Sequence, residues 1–124
     1  MDLSTNLGRL TLKNPIMTAS GTFGYAREMQ EVVDISKLGA VVPKTITAEP
    51  RIGNPPWRTV ETAAGLLNAI GLDNDGVEAF LEHHLPYLQQ VGTSVVVSLA
   101  GRSESDFVSL AERVGAQPGV SALE

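Results

Sequence analysis

Four short apolar runs constrain this chain most: Pro15-Ile16-Met17-Thr18-Ala19, Ala40-Val41-Val42, Ser94-Val95-Val96-Val97-Ser98-Leu99 and Val120-Ser121-Ala122-Leu123-Glu124. The core runs are largely continuous rather than strictly alternating, as expected of strands covered on both faces. Helix-length segments separate them. Strands that alternate with helices build a parallel sheet, and two architectures satisfy that order: an open doubly wound sheet or a (β/α)8 barrel.

The segments between the runs read as follows. Leu3, Thr5 and Leu7, then Leu10 and Leu12, alternate with their neighbours about Gly8, which predicts a hairpin before the first run. Met29, Val32 and Val33 fall at i, i+3 and i+4, predicting a helix over 25–38 that Gly39 stops. Residues 46–75 are rich in Pro, Gly and Asn and lack a period, although Val60 to Ala69 can hold local structure. Asp73 to Asp75 read as caps for a helix carrying Val77, Phe80, Leu81, Leu85 and Leu88, which Pro86 kinks or splits. Ser103 with Asp106 forms a capping-box pattern ahead of Phe107, Leu110, Ala111 and Val114, in a helix that Gly115 ends.

Length and charge exclude several function classes. With 124 residues, 43% of them hydrophobic, the chain is globular and fits one domain. A net charge of −5 argues against a general nucleic-acid binder. The absence of Cys removes disulfides, iron–sulfur ligands and a cysteine nucleophile from these residues. No apolar run approaches the ~20 residues that span a bilayer, and Met1 to Leu10 is not a secretory signal. A soluble cytoplasmic protein without a membrane segment is expected.

In both architectures chemistry sits at the carboxyl ends of the strands. Those ends are Ser20-Gly21-Thr22, Lys44-Thr45 and Ser98-Leu99-Ala100-Gly101, all small or polar but for Leu99. Ser20 to Gly24 suits a lip beneath a phosphate or a flat ring, or equally an ordinary strand-to-helix turn that needs glycine. Lys44 is one of three lysines and directly follows an apolar strand; it can stabilise developing negative charge or hold a carboxylate, or it can be a solvated loop residue. Asn68 and Gly71 can offer an amide and free backbone N–H groups to a small polar ligand, or form a plain turn. His83-His84 lacks metal-ligand spacing and reads as a solvated face, so no metal site is expected.

Taken together, Asn14-Pro15 to Ala19-Ser20-Gly21, Lys44-Thr45, Arg51-x-Gly53-Asn54-Pro55 and Asn68-Ala69-Ile70-Gly71-Leu72 resemble class 1 dihydroorotate dehydrogenase in order and spacing. The wording Leu-Asn-Ala-Ile-Gly-Leu resembles the NAD-linked subclass 1B more than the fumarate-linked 1A. The resemblance implies a (β/α)8 TIM barrel, of which this chain would be the N-terminal hairpin and about three and a half βα units, since a whole barrel takes roughly 250 residues. It implies FMN at the carboxyl face and oxidation of dihydroorotate to orotate in pyrimidine synthesis. A base takes the C5 proton while hydride leaves C6 for the flavin. A partner subunit with FAD and a 2Fe–2S cluster then carries electrons to NAD, in a dimer of heterodimers.

Residue by residue, the resemblance implies that Ala19, Ser20, Gly21, Lys44 and Thr45 contact FMN. Lys44 also touches substrate, and Asn68, Ala69, Ile70, Gly71 and Leu72 bind the orotate carboxylate and ring. Ser98 stands where subclass members often carry Asn against the flavin. The family's Asn-x-Ser-Cys-Pro-Asn stretch, with its cysteine base, would begin where Ala122-Leu123-Glu124 ends. These residues alone are therefore expected to be inactive, and to fold poorly because the first and fourth strands are open sheet edges. Two rival readings are a flavin barrel acting on another dihydropyrimidine and a non-catalytic half-barrel serving binding or assembly.

Overall fold

A computed structural model describes all residues 1–124. The hairpin forms as expected: β1 (Thr5–Leu7) pairs antiparallel with β2 (Leu10–Leu12), and Gly8 turns between them at φ +60. A parallel three-stranded sheet follows, built from β3 (Ala40–Val41), β6 (Ser94–Val97) and β7 (Val120–Leu123), in that spatial order. Between β3 and β6 lies an antiparallel hairpin, β4 (Thr59–Thr62) with β5 (Gly65–Asn68). Parallel bridges Met17↔Ala40 and Ile46↔Leu99 extend the sheet at its edge and its carboxyl end. Neighbours in space are therefore neighbours in sequence along the parallel sheet, without the reversal that defines a doubly wound sheet.

The first apolar run is reduced to that single bridge at Met17. The Thr18 hydroxyl accepts from the Val42 N–H at 2.7 Å and lies 3.1 Å from the Val42 carbonyl, so a side chain occupies backbone groups that a ladder would use.

The predicted helix over 25–38 does not form. Only 3₁₀ turns occur, at Arg27–Met29 and Ile35–Lys37. Ala26 at φ 71 and Asp34 at φ −73, ψ 92 break the helical path on either side of the first turn. Val32 is left exposed.

The helix after residue 75 is split as Pro86 predicts. It runs as α1 (Gly76–Ala79), a π turn (Phe80–His84) and α2 (Leu85–Leu88). The Leu85 N–H reaches back to the Phe80 carbonyl, five residues away, immediately before the proline. Asp75 occupies the N-cap without a side-chain cap bond; Asn74 Oδ1 takes the Gly76 N–H instead, at 2.9 Å. The last helix, α3 (Glu104–Gly115), carries the predicted Ser103/Asp106 capping box.

Strand alternation sorts the core into two layers. Val41, Val95 and Val97 pack with Phe80, Leu85, Leu88, Leu110 and Val114 beneath the helices. Ala40, Val42 and Val96 face the other way, onto Leu12, Leu10, Met17 and Ala122. The β1–β2 hairpin thus covers one sheet face and leaves the strand ends at Lys44 and Ser98 clear. No helix is long and apolar enough to cross a membrane.

Candidate active site

The strand ends converge. Ser20, Gly21, Thr22, Lys44, Thr45 and the whole stretch from Asn68 to Asp73 line one cavity of about 450 Å³. Two of the expected residues stand apart from it. Ala19 borders an adjoining apolar hollow with Met17, Val42 and Val96. Ser98 is buried, and its hydroxyl lies 2.9 Å from that of Thr45, so it supports the cavity wall from behind. A larger depression of about 610 Å³ lies among residues 30–36 with Tyr87, Gln90 and Val91, away from the strand ends.

Lys44 is half-buried and fixed through its backbone, whose N–H donates to the Gly24 carbonyl at 2.8 Å. Its ammonium makes no hydrogen bond and no ion pair within the chain. Its positive charge is felt across the cavity. Together with the nearer Arg58, whose hydrogen bond is the larger cause, it holds the Asp73 carboxyl below its ordinary range.

The Asn68–Leu72 stretch is bent into place by its neighbours. The Asn54 N–H donates to the Ile70 carbonyl at 3.0 Å, its side-chain amide donates to the Ala69 carbonyl at 2.8 Å, and the Ala69 N–H donates to the Arg58 carbonyl at 2.8 Å. This close approach needs glycine twice. A Cβ on Gly53 would lie 2.4 Å from the Ile70 oxygen, and one on Gly71 would lie 2.8 Å from the Asn54 nitrogen, both at positive φ. As a result the N–H groups of Ile70, Gly71, Leu72 and Asp73 donate to no acceptor in the chain. Successive free N–H groups beside a cavity suit an anion, and a carboxylate is the simplest one to fit.

Arg58 closes the back of the site. Its guanidinium donates to Asp73 Oδ2, to the Asn54 carbonyl and to the Ile52 carbonyl, at 2.5, 2.5 and 2.7 Å. Reading Asp73 as a helix cap is therefore corrected: it is an ion-pair partner on the cavity wall. Arg58 is not singled out from the sequence, and Thr22, Asn54 and Asn74 enter the sequence reading only within a strand end, a motif and a cap segment, with no role of their own. Arg58 directly precedes β4 and faces Ala69 across the hairpin, whereas Asp73 lies beyond β5 and reaches Arg58 only because the Asn68–Leu72 loop folds back, so no local sequence signal marks the pair.

Reading His83-His84 as a solvated face holds for His83 alone. His84 stacks on Tyr25 with centroids 3.6 Å apart, and its Nε2 lies 2.9 Å from Asp75 Oδ2. Neither histidine borders the cavity, and no cluster of metal-ligating side chains exists in the chain.

Comparisons with known proteins identify the family. The family model for dihydroorotate dehydrogenase matches residues 2–124. The catalytic subunit of dihydroorotate dehydrogenase B (NAD(+)) from Listeria welshimeri is 48% identical over 122 residues, covering 98% of this chain and 40% of that protein. The subunit of the same name from Geobacter sulfurreducens is 46% identical over 123 residues, covering 99% and 40%. The chain thus spans about two-fifths of the length of these curated relatives. The crystal structure of an Eimeria tenella dihydroorotate dehydrogenase in complex with ferulenol superposes with a TM-score of 0.72 at 24% identity, over 98% of this chain and 35% of that one. That likeness makes the fold part of an α/β barrel. With the family model matching from Asp2 to Glu124, the chain belongs to the dihydroorotate dehydrogenase family.

Proposed function

We propose that these residues are the N-terminal, ligand-facing part of a dihydroorotate dehydrogenase catalytic chain, one that oxidises dihydroorotate to orotate in pyrimidine synthesis. The observation that carries this reading is the pairing of an uncompensated cation, Lys44, with the free N–H groups of Ile70 to Asp73 around one cavity. Dihydroorotate presents a carboxylate and ring carbonyls, which need such donors; a ligand without the carboxylate would leave the N–H groups unpaired.

The same wall suits FMN. Ser20 and Gly21 form a small-residue lip with nothing within 4 Å of a Cβ built on Gly21, so a flat ring can approach the backbone there. Lys44, Ser20, Gly21 and Thr45 would hold the cofactor, with Ala19 alongside and Ser98 acting through Thr45. When bound, FMN supplies the hydride acceptor. Lys44 holds a positive charge at the cavity, where negative charge accumulates during the reaction. Asn68 and the loop that follows bind and orient the substrate. The carboxylate on the cavity wall, Asp73, is held by Arg58, so in this reading the base is the cysteine that the family resemblance implies, which is not among these residues.

The names of the relatives support an NAD-linked enzyme. In this reading a partner subunit carrying FAD and a 2Fe–2S cluster takes the electrons onward, in a dimer of heterodimers. The test is substrate choice. The longer catalytic chain, loaded with FMN, should oxidise dihydroorotate and leave dihydrouracil untouched. Equal use of both, or preference for dihydrouracil, overturns the assignment.

A further inference from the structure

Asn74 lies just beyond the cavity, is 3% exposed and belongs to neither ligand wall. Its side chain is nonetheless saturated. Oδ1 accepts from the Thr47 N–H at 3.2 Å and from the Gly76 N–H at 2.9 Å. Nδ2 donates to the Thr47 hydroxyl at 3.0 Å and to the Leu72 carbonyl at 2.7 Å. The single Thr47 hydroxyl proton goes to the Glu49 carbonyl at 2.6 Å, so the hydroxyl receives from Asn74. The two N–H donors facing Oδ1 fix which way the amide points. Its backbone adds a reciprocal pair with Arg51, at 2.8 and 2.9 Å.

These bonds connect the two walls of the site. Thr47 follows Lys44 by three residues, on a strand end pinned by Ile46 to Ser98 and Ala100. Leu72 ends the substrate loop and adopts φ 56, a left-handed conformation that a branched side chain resists. Strain of about 1–3 kcal/mol of this kind persists only where surrounding contacts over-determine it. The bond from Asn74 to the Leu72 carbonyl is one such contact, and Gly76 anchors the other side of the amide.

We propose that Asn74 is a positioning residue: it sets the separation between the Lys44 strand end and the Asn68–Leu72 loop, and holds Leu72 in its strained form so that the loop N–H groups stay open to substrate. The inference rests on the proposed function above. Aspartate is the informative replacement, because it keeps the shape and the Oδ1 acceptor but puts an oxygen where Nδ2 donates to Leu72 and Thr47.

The test uses the longer FMN-loaded catalytic chain with Asn74→Asp, read by orotate binding through the flavin spectrum and by steady-state turnover. Orotate Kd and dihydroorotate KM should rise together by about tenfold or more, with flavin content retained and kcat changed far less, because misplacement of a binding group by even ~1 Å is costly. Unchanged orotate Kd with a loss confined to kcat or flavin content overturns the proposal. If Asn74→Asp does not fold, Thr47→Val removes the hydroxyl link with little change of shape, and the same two outcomes apply. Asn68→Ala in the same assay separates the two levels: if it too leaves orotate binding unchanged, the reading of the site fails rather than the role of Asn74.

Discussion

Arg58 Nη1 and Asp73 Oδ2 stand 2.5 Å apart, joining the strand before the β4–β5 turn to the loop after it. The Asp73 carboxyl sits below its ordinary value near 3.8, first through the hydrogen bond from Arg58 and then through the charges of Arg58 and Lys44. A carboxylate lowered in this way is ionised and paired above its unfolded value. Its contribution is lost only as pH falls through the lowered one. The Asp73 carboxyl carbon, followed by NMR, should titrate with a midpoint under 3.8. A midpoint at or above that value contradicts the pairing.

Lys44 should matter to chemistry and not to folding, since its ammonium bonds to nothing in the chain. Lys44→Ala is expected to leave the melting temperature of the full catalytic chain within a degree or two, roughly the scale of a neutral surface change. Flavin reduction by dihydroorotate should slow by about a hundredfold to a thousandfold, the range for a lost electrostatic stabiliser. Stopped-flow bleaching of the flavin measures it.

Gly71→Ala meets two obstacles, φ +81 and the Asn54 nitrogen 2.8 Å from the new carbon. The cost is about 1 kcal/mol or more and falls on the loop. Faster hydrogen exchange at Asn54 and Ala69, whose N–H groups are bonded to the Ile70 and Arg58 carbonyls, and weaker orotate binding should accompany a small fall in global stability.

Ser103→Ala provides the contrast. It removes the capping box of α3, where the Asp106 N–H donates to the Ser103 hydroxyl at 3.2 Å. About 1 kcal/mol of stability should go, visible as a lower urea midpoint. Orotate affinity should not change, because α3 begins outside the cavity.

Short-range regularity was the legible part of the sequence. The valines of Ser94–Val97 and the Ser103 capping box each act through a short segment, so their pattern survives into the structure. The segment 25–38 misleads because Met29, Val32 and Val33 mimic a helix, while Ala26 and Asp34 take backbone angles that no propensity encodes. The β4–β5 hairpin hides for a different reason. All of its residues are exposed, so no burial alternation marks it, and Val60, Leu66 and Leu67 point outward with Trp57 nearby. At the site, Lys44 and Asn68–Leu72 were readable as strand-end and loop residues. Arg58, Asp73 and Asn74 were not, since each works by pairing with a residue far away in sequence.

The central claim is that Lys44 and the Asn68–Leu72 loop together face a flavin and dihydroorotate. Anaerobic mixing of the FMN-loaded catalytic chain with dihydroorotate tests it most directly. The flavin absorbance should bleach in the unmodified protein and barely change on the same timescale in Lys44→Ala and Asn68→Ala. Bleaching that proceeds equally well in both variants would contradict the account.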